Sequence, residues 1–411
     1  MAMRGGRIRT TVLAGALGIV CAVTTAGVAS AAAPAPAPAG ATVVGTRSAR
    51  CPATVATIQA AVTAAAPGAT IFVCAGTYPE RVSVTKPVRL LGAQYGRDAR
   101  AGRTTAADES VVTGPTGGFV VGPVAGVVID GFTITGSGAD GIDAFQRGSG
   151  FTIVNNVITG NANGMNVNTP GPAPSTIARN RIERNNAVAA DAGGTGVLIT
   201  SGAANALTIS DNLFGGHTSA AVNSIGDPAS RSKGLVVRDN RSVDDATLVV
   251  VNNADGAVVT RNIATKSASL PSGTGIFIVG NTDRLTVSRN VLTGGKGNGL
   301  SANGAVPFAA APSTNLLIDT NTIRGRTGTG IQINEGSGTV VGNVVQSAGV
   351  NGVAAAATAT GMRFERNVAT GSVGKDCADA STGAGTLGTA NTWVRNVGQT
   401  ATPTGLCIPG R

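Results

Sequence analysis

Residues 151–184 read FTIVNNVITGNANGMNVNTPGPAPSTIARNRIER, and within them the string FTIVNN returns 24 residues later as STIARN, with Asn180 in the place of Asn156. The same register recurs at Asn212, Asn240, Asn262, Asn290, Asn321, Asn343, Asn367 and Asn396, with spacings of 22 to 32 residues. An apolar residue lies three places before the Asn and usually another two places after it, as in Ile153 and Ile158, Val287 and Leu292, or Ile318 and Ile323. That alternation makes short strands on either side of the amide. Between the Asn strings lies a second signature, a glycine followed by an in/out strand: DGIDAF, NGMNVN, TGVLIT, TGIFIV, NGLSAN and TGIQIN. Two or three short strands in a coil of about 22 residues describe a β-solenoid, because a propeller blade needs four strands and about 40 residues.

The Asn column has a physical purpose if each coil bends inward there. A stacked amide both donates and accepts along the axis, so it can pair backbone groups that the bend leaves open. Such a ladder is expected over all ten positions, preceded at the same register by Phe132; Asn290→Ala would then cost about 1 to 3 kcal/mol. Stacked coils leave raw strand edges, which need covering. At the front, TVATIQAAVTAAAPGATIFV reads as an amphipathic helix carrying Ile58, Ala61, Val62 and Ala65, stopped by Pro67 and Gly68. At the back, residues 372–411 break the pattern and carry the one tryptophan, Trp393.

Residues 1–33 read as an export signal, with Arg4, Arg7 and Arg9 before the apolar run Thr11 to Val23 and small residues at Ala29 to Ala31. Cys21 follows Val20, which disfavours lipid anchoring, and no later stretch has the length and apolarity of a membrane span. Residues 34–50, rich in Ala and Pro at their start, are expected as a disordered linker. Residues 51–411 form one domain, with 51–100 as the N-terminal cap and first strands and 372–411 as the C-terminal cap. The four cysteines outside the signal fit two bridges; of three connectivities the local pairs Cys51 with Cys74 and Cys377 with Cys407 are the most economical. The expected location is outside the cell or in its wall, and the expected state a monomer.

The segment from Ile58 to Gly92, IQAAVTAAAPGATIFVCAGTYPERVSVTKPVRLLG, resembles the opening of pectin-lyase-like right-handed β-helix proteins, and the Asn-centred coils resemble the repeat region of carbohydrate-active and NosD-like members. The resemblance spans about residues 51 to 411. It implies an all-β, single-stranded right-handed parallel β-helix with a helical N-terminal cap and a disulfide-closed C-terminal cap. It also implies a polysaccharide lying along the outer face of one long sheet. It does not choose a reaction, because one scaffold hosts many.

Side-chain alternation nominates that face. If Ile142, Met165, Val197, Val222, Leu248, Ile276, Leu300, Ile331 and Val353 point inward, the outward set includes Asp143, Phe145, Asn166, Asn168, Asn223, Val249, Val251, Phe277, Ser301, Asn303, Gln332 and Asn334. The amides suit sugar hydroxyls, and Phe145 and Phe277 offer stacking faces. The loops NTPGPAPS, SIGDPASRSKG and NGAVPFAAAPS are placed to wall the strip.

Catalytic candidates are sparse. Glycoside hydrolysis needs two carboxyls about 5 to 9.5 Å apart, and Asp143 and Glu335 lie too many coils apart. For lyase or epimerase chemistry the single histidine, His217, reads as a surface loop residue after Gly215 and Gly216, while Tyr78 and Tyr95 belong to the cap. Asp239, Asp244 and Asp245 read as a solvated turn in preference to a Ca²⁺ site, and Asn281–Thr282–Asp283 as a turn. The GTYPE string, Gly76 to Glu80, is shared with pectin methylesterases, whose paired aspartates have no counterpart here. Four methionines and one histidine cannot build a copper cluster. No cofactor is therefore expected.

The formal charge of +10, or about +7 once three signal arginines are gone, tilts toward anionic partners. Twelve aromatics and no basic run make nucleic acid a poor candidate. Arg179, Arg261, Arg289, Arg366 and Arg395 each precede a ladder Asn, and Arg181 and Arg241 each follow one, an arrangement that would form a basic stripe for acidic glycans if unpaired. The sequence thus favours a polysaccharide-binding module, acidic glycans among its candidate ligands, over the alternative of a lyase or hydrolase with a non-standard site.

Overall fold

A computed structural model describes residues 35–103, 105–187, 193–200, 203–267, 273–303 and 311–410. The proposed signal lies outside the described residues, as does most of the NGAVPFAAAPS loop. Each coil contributes a strand to three parallel sheets in turn. In one coil these are Thr152–Val154, Val157–Thr159 and Asn163–Val167, which join what we term the first, second and third sheets. The sheets contain 14, 14 and 13 strands respectively. The stack is thus longer than the roughly ten Asn-marked coils, because strands such as Thr42–Val44, Thr70–Val73 and Arg89–Leu91 extend the first sheet without an Asn signature.

The core is three inward files, one per sheet. In the first sheet Ile153 pairs with Ile129 and Ile177, in the second Ile158 pairs with Ile134 and Ile182, and in the third Ile142 pairs with Met165. All eight are essentially inaccessible to solvent. Like side chains stack on like, so burial is continuous along the axis and each coil relies on its neighbours.

The amides of Asn156, Asn180, Asn212, Asn240, Asn262, Asn290, Asn321, Asn343, Asn367 and Asn396 stand in single file at the bend between the first and second sheets. Asn180 is representative. Its Oδ1 accepts from the backbone N–H of Asn156 (2.9 Å) and from Asn156 Nδ2 (3.1 Å), while its Nδ2 donates to Ile153 O and Asn212 Oδ1. The file opens where Phe132 N donates to Asn156 Oδ1. The residue ahead of each Asn explains the bend. Asn155, Arg179, Asp211, Asp239, Arg261, Arg289, Thr320, Arg366 and Arg395 all have φ between 50° and 57°, the left-handed conformation that costs an L-residue about 1 kcal/mol or more. Ladder hydrogen bonds offset that strain in these nine coils, and ahead of Asn343 the turn is taken by Gly342 at φ 63° without it.

The caps use side chains from the next strand. The α-helix Ile58–Ala64 has Thr57 at its N-cap, and Glu80 accepts from the N–H groups of Ile58 (3.0 Å) and Gln59 (2.9 Å). A carboxylate there answers the positive end of the helix. Gln59 Oε1 accepts from Ser83 N, and Lys86 Nζ donates to the carbonyls of Thr63 and Ala65 at the other end. Cys51 is bonded to Cys74 and Cys377 to Cys407. Trp393 stacks on Phe364, with centroids 4.1 Å apart, and donates its indole N–H to Asp379.

The described part of the Ala/Pro segment departs from a disordered linker. Ala35 N donates to Ala93 O and Tyr95 Oη to Pro36 O, while Thr42–Val44 pairs with Ile71–Val73 inside the first sheet. Phe72 and Leu91 give that sheet an apolar outer patch, which the segment covers.

Candidate functional site

The outer face of the third sheet is built by register. Starting from Ser83, the aligned outward residues are Val120, Asp143, Asn166, Leu198, Asn223, Val250, Phe277, Ser301, Gln332, Ala354, Ala378 and Thr402. Neighbours in this file are one strand spacing apart, about 4.8 Å. The face is long and only partly exposed, with amide and apolar side chains intermixed.

One coil corrects the alternation reading. Val222 pairs with Val249, so Val249 and Val251 face inward and Val250 outward, whereas Leu248 takes the place that glycine holds in other coils. After Thr247 the strand runs LVVV, four apolar residues with no polar position to set the phase. The glycine column itself is steric: a Cβ on Gly141 would lie 2.8 Å from Asn161 Nδ2 and from Gly164 O.

Of the nominated site residues, Asp143, Asn166, Asn223, Phe277 and Gln332 lie on the central file and are half-buried. Phe145 sits at one margin, 39% exposed. Asn168 does not join the accessible strip. It is 1% exposed, and its Nδ2 donates to Phe145 O, bracing the loop beyond the strand. Asn303 and Asn334 lie beside the file in a network: Gln332 Nε2 donates to Asn334 Oδ1, Asn334 Nδ2 to Asn303 Oδ1, and Ser301 Oγ to Asn303 Oδ1. These bonds fix the rotamers before any ligand arrives, which lowers the ordering cost of binding. Asn166 and Asn223 each keep a buried side-chain oxygen with no hydrogen-bond partner among the described residues.

Sequence reasoning missed a carboxyl. Asp140 begins the strand Asp140–Ala144 and so belongs to the same strand as Asp143; it accepts from Asn163 Nδ2 at 2.9 Å. Burial raises its carboxyl above the ordinary range and Asp143 raises it further, against hydrogen bonds from Asn163 and Asn166. The glycine at 141 interrupts the alternation, which hid Asp140 in what read as a turn.

His217 is not a surface residue. It is 1% exposed and continues a second buried file at the bend between the second and third sheets, after Asn161 and Asn185. Asn185 Nδ2 lies 3.2 Å from His217 Nε2, and His217 Nδ1 lies 2.7 Å from Asp245 Oδ1. An amide NH₂ can only donate, so Nε2 is the acceptor and the proton resides on Nδ1. Asp245 also accepts from Ser242 Oγ, so it is buried and not part of a solvated turn. Asp239 and Asp244 are separate from it: Asp239 takes two hydrogen bonds from Arg261, and Asp244 accepts from Ser267 N. Asp283 accepts from Thr314 and Asn315, so the NTD string ties adjacent turns together.

The basic stripe is neutralised in part, at Arg181, Arg261 and Arg366. The arginines before the ladder Asn alternate along the bend with Asp211 and Asp239, and Arg261, Arg238 and Arg366 form ion pairs with Asp239 or Glu365. Arg181 pairs with Glu183. This column is the left-handed turn position, whose outward side chain tolerates Arg, Asp or Asn alike.

Comparison with known proteins gives a family and a fold. The family model described as "Right handed beta helix region" matches residues 92–240 and 229–396. No curated protein matches the chain. Among solved structures, the catalytic unit of a GH87 α-1,3-glucanase from Streptomyces thermodiastaticus aligns with a TM-score of 0.54 at 14% identity, over 92% of this chain and 68% of its own. A DFA-IIIase from Arthrobacter chlorophenolicus aligns with a TM-score of 0.50 at 15% identity, over 72% of this chain and 84% of its own. At these identities the likeness is one of fold.

Proposed function

The chain belongs to the right-handed β-helix family, and we propose that it binds an extended polysaccharide outside the cell along the outer face of its third sheet. The observation that carries this reading is the in-register file from Asp143 to Gln332. It repeats at the coil spacing, a length comparable to one sugar unit, and alternates hydrogen-bonding amides with apolar surface. Sugars present the same mixture, hydroxyl rims around apolar ring faces, and Phe277 at the centre supplies a ring to stack on. The β-helix-fold enzymes named above support carbohydrate as the ligand class without specifying which. The test is affinity electrophoresis of the signal-free protein through gels containing different glycans. Retention by one glycan, weakened in Phe277→Ala and in Asn223→Ala with an unchanged circular dichroism spectrum, is the expected result. Failure of every glycan to retard the protein would refute it.

Asp140 favours a second, enzymatic reading. Burial raises the Asp140 carboxyl above the ordinary range, and Asp143 stands on the same strand; glycosidic cleavage requires two such carboxyls, one to protonate the leaving oxygen and one to activate water. Release of reducing ends by the wild type, abolished in Asp140→Asn with glycan retention intact, would establish it. Retention without product in either protein would leave a binding module.

A further inference from the structure

Resting on the polysaccharide reading above, we infer that the glycan this face accepts is uncharged, in spite of the protein's basic net charge. Of the thirteen residues aligned from Ser83 to Thr402, one is ionisable, and it is an acid, Asp143. The second acid, Asp140, stands at the same end. No Lys, Arg or His occurs in the file. Lys296 and Lys375 are exposed at the bend that leads into this sheet, ahead of the file and outside it, whereas two other cations there are committed to the backbone: Lys266 Nζ donates to Ala246 O, and the Arg326 guanidinium donates to carbonyls of Gly273, Gly294, Lys296, Gly297 and Asn298. Lys266 and Arg326 are both buried. Arg147, in the loop after Phe145, shares its end of the face with the two aspartates. Segments 188–192, 201–202, 268–272 and 304–310, whose structure is not described, contain no Lys or Arg in the sequence, so they bring no countercharge.

A uronate polymer laid on this face would bring a carboxylate to successive coils. Each would be partly desolvated against amides and aliphatic side chains with no cation in the file to pair with, and a buried unpaired charge is among the costliest arrangements in a protein interface. At the end that carries Asp143 it would also meet an acidic side chain of its own kind. A neutral hexose chain meets neither obstacle. Its hydroxyls find Asn166, Asn223 and Gln332, and its ring faces find Leu198, Val250 and Phe277. The positive charge of the molecule, carried on turns and at the ladder bend, attracts polyanions only at long range and in a manner that salt removes.

The experiment is affinity electrophoresis of the signal-free protein, at low and high salt, through uncharged glucans, fructans and mannans and through pectate and alginate. Retention by an uncharged glycan that persists in high salt, and weakens about tenfold in Phe277→Ala, loses about 1.4 kcal/mol of binding and is the expected result. Salt-resistant retention by pectate or alginate alone overturns the inference yet leaves the polysaccharide reading standing. Salt-sensitive retention by the acidic polymers with no neutral binding overturns it too, as nonspecific attraction. No retention in any gel refutes both.

Discussion

Replacing Asn290 with alanine tests the ladder at its middle. Asn290 Oδ1 accepts from Asn262 N and Asn262 Nδ2, both at 3.0 Å, and Asn290 Nδ2 donates to Val259 O and Asn321 Oδ1, both at 2.9 Å. Alanine removes all four. Two partners keep an alternative: Asn262 Nδ2 still reaches Val237 O, and Asn321 Oδ1 still accepts from the backbone N–H of residue 290. The Asn262 N–H and the Val259 carbonyl lose this partner. At about 1 to 3 kcal/mol for each buried orphan, the cost comes to about 4 kcal/mol, above the range expected for one isolated buried amide. The control is Arg289→Ala, an exposed change at the neighbouring turn residue, expected within about 0.5 kcal/mol of wild type. Chemical denaturation gives the stabilities, and hydrogen exchange at the Asn262 amide reports the local loss of protection. If both variants unfold at the same denaturant concentration with Asn262 still protected, the ladder is not what holds the bend.

Three further outcomes follow from the same structure. Asp140 has a raised carboxyl in the folded state, so its contribution to stability is complete below the ordinary carboxylate range and is lost as pH rises through its folded value; the stability of wild type relative to Asp140→Asn should fall between acid and neutral pH, and a difference independent of pH would count against this. Replacing Cys51 and Cys74 together with serine opens a closure spanning 23 residues and should cost about 3 kcal/mol in unfolding experiments under oxidising conditions; equal stability would mean the cap holds without its bridge. Glu80→Ala should destabilise the cap by about 1 to 2 kcal/mol through loss of two helix N-terminal hydrogen bonds, and an unaltered melting curve would show that Thr57 suffices.

The solenoid was legible because its information is periodic. Ten asparagines with flanking apolar residues report a buried file, and a glycine ahead of each in/out strand reports a bend with no room for Cβ. Residues that break the period were misread for that reason. His217 and Asp245 occupy positions homologous in space to Asn161 and Asn185, but a lone imidazole among glycines carries no repeat signal and reads as surface. Asn168 looked like one more outward amide because strand alternation says nothing of where the following loop folds over. The arginine column was visible as a column, but its charge balance depends on Asp211, Asp239 and Glu365, whose side chains meet it only when coils stack. Of the candidate face, the central amides were legible and Asp140 was not.

Leu248 shows how one misreading exposes a packing rule. In the second sheet the inward file runs Ile182, Phe214, Ser242, Ala264, Leu292, Ile323. Where that residue is large, the third sheet answers with glycine: a Cβ on Gly164 would lie 2.7 Å from Ile182 Cγ2, and one on Gly196 2.8 Å from Phe214 Cδ1. Where it is Ser242 or Ala264, the column holds Ala221 and Leu248 instead. Leu248, 2% exposed, fills the space a large second-sheet residue would otherwise occupy, and only about 10 Å³ remains among Leu248, Ser242, Ala264 and their neighbours. Leu248→Gly should therefore open a cavity costing about 3 to 5 kcal/mol. Ala264→Leu alone should overpack the same space at about 1 to 3 kcal/mol. The two combined restore the large-plus-glycine pairing of the other coils, so the double variant should be more stable than the sum of the single losses by at least about 1.5 kcal/mol. Strict additivity in denaturant unfolding would show that the two positions do not share one space, and the complementarity would then be coincidence.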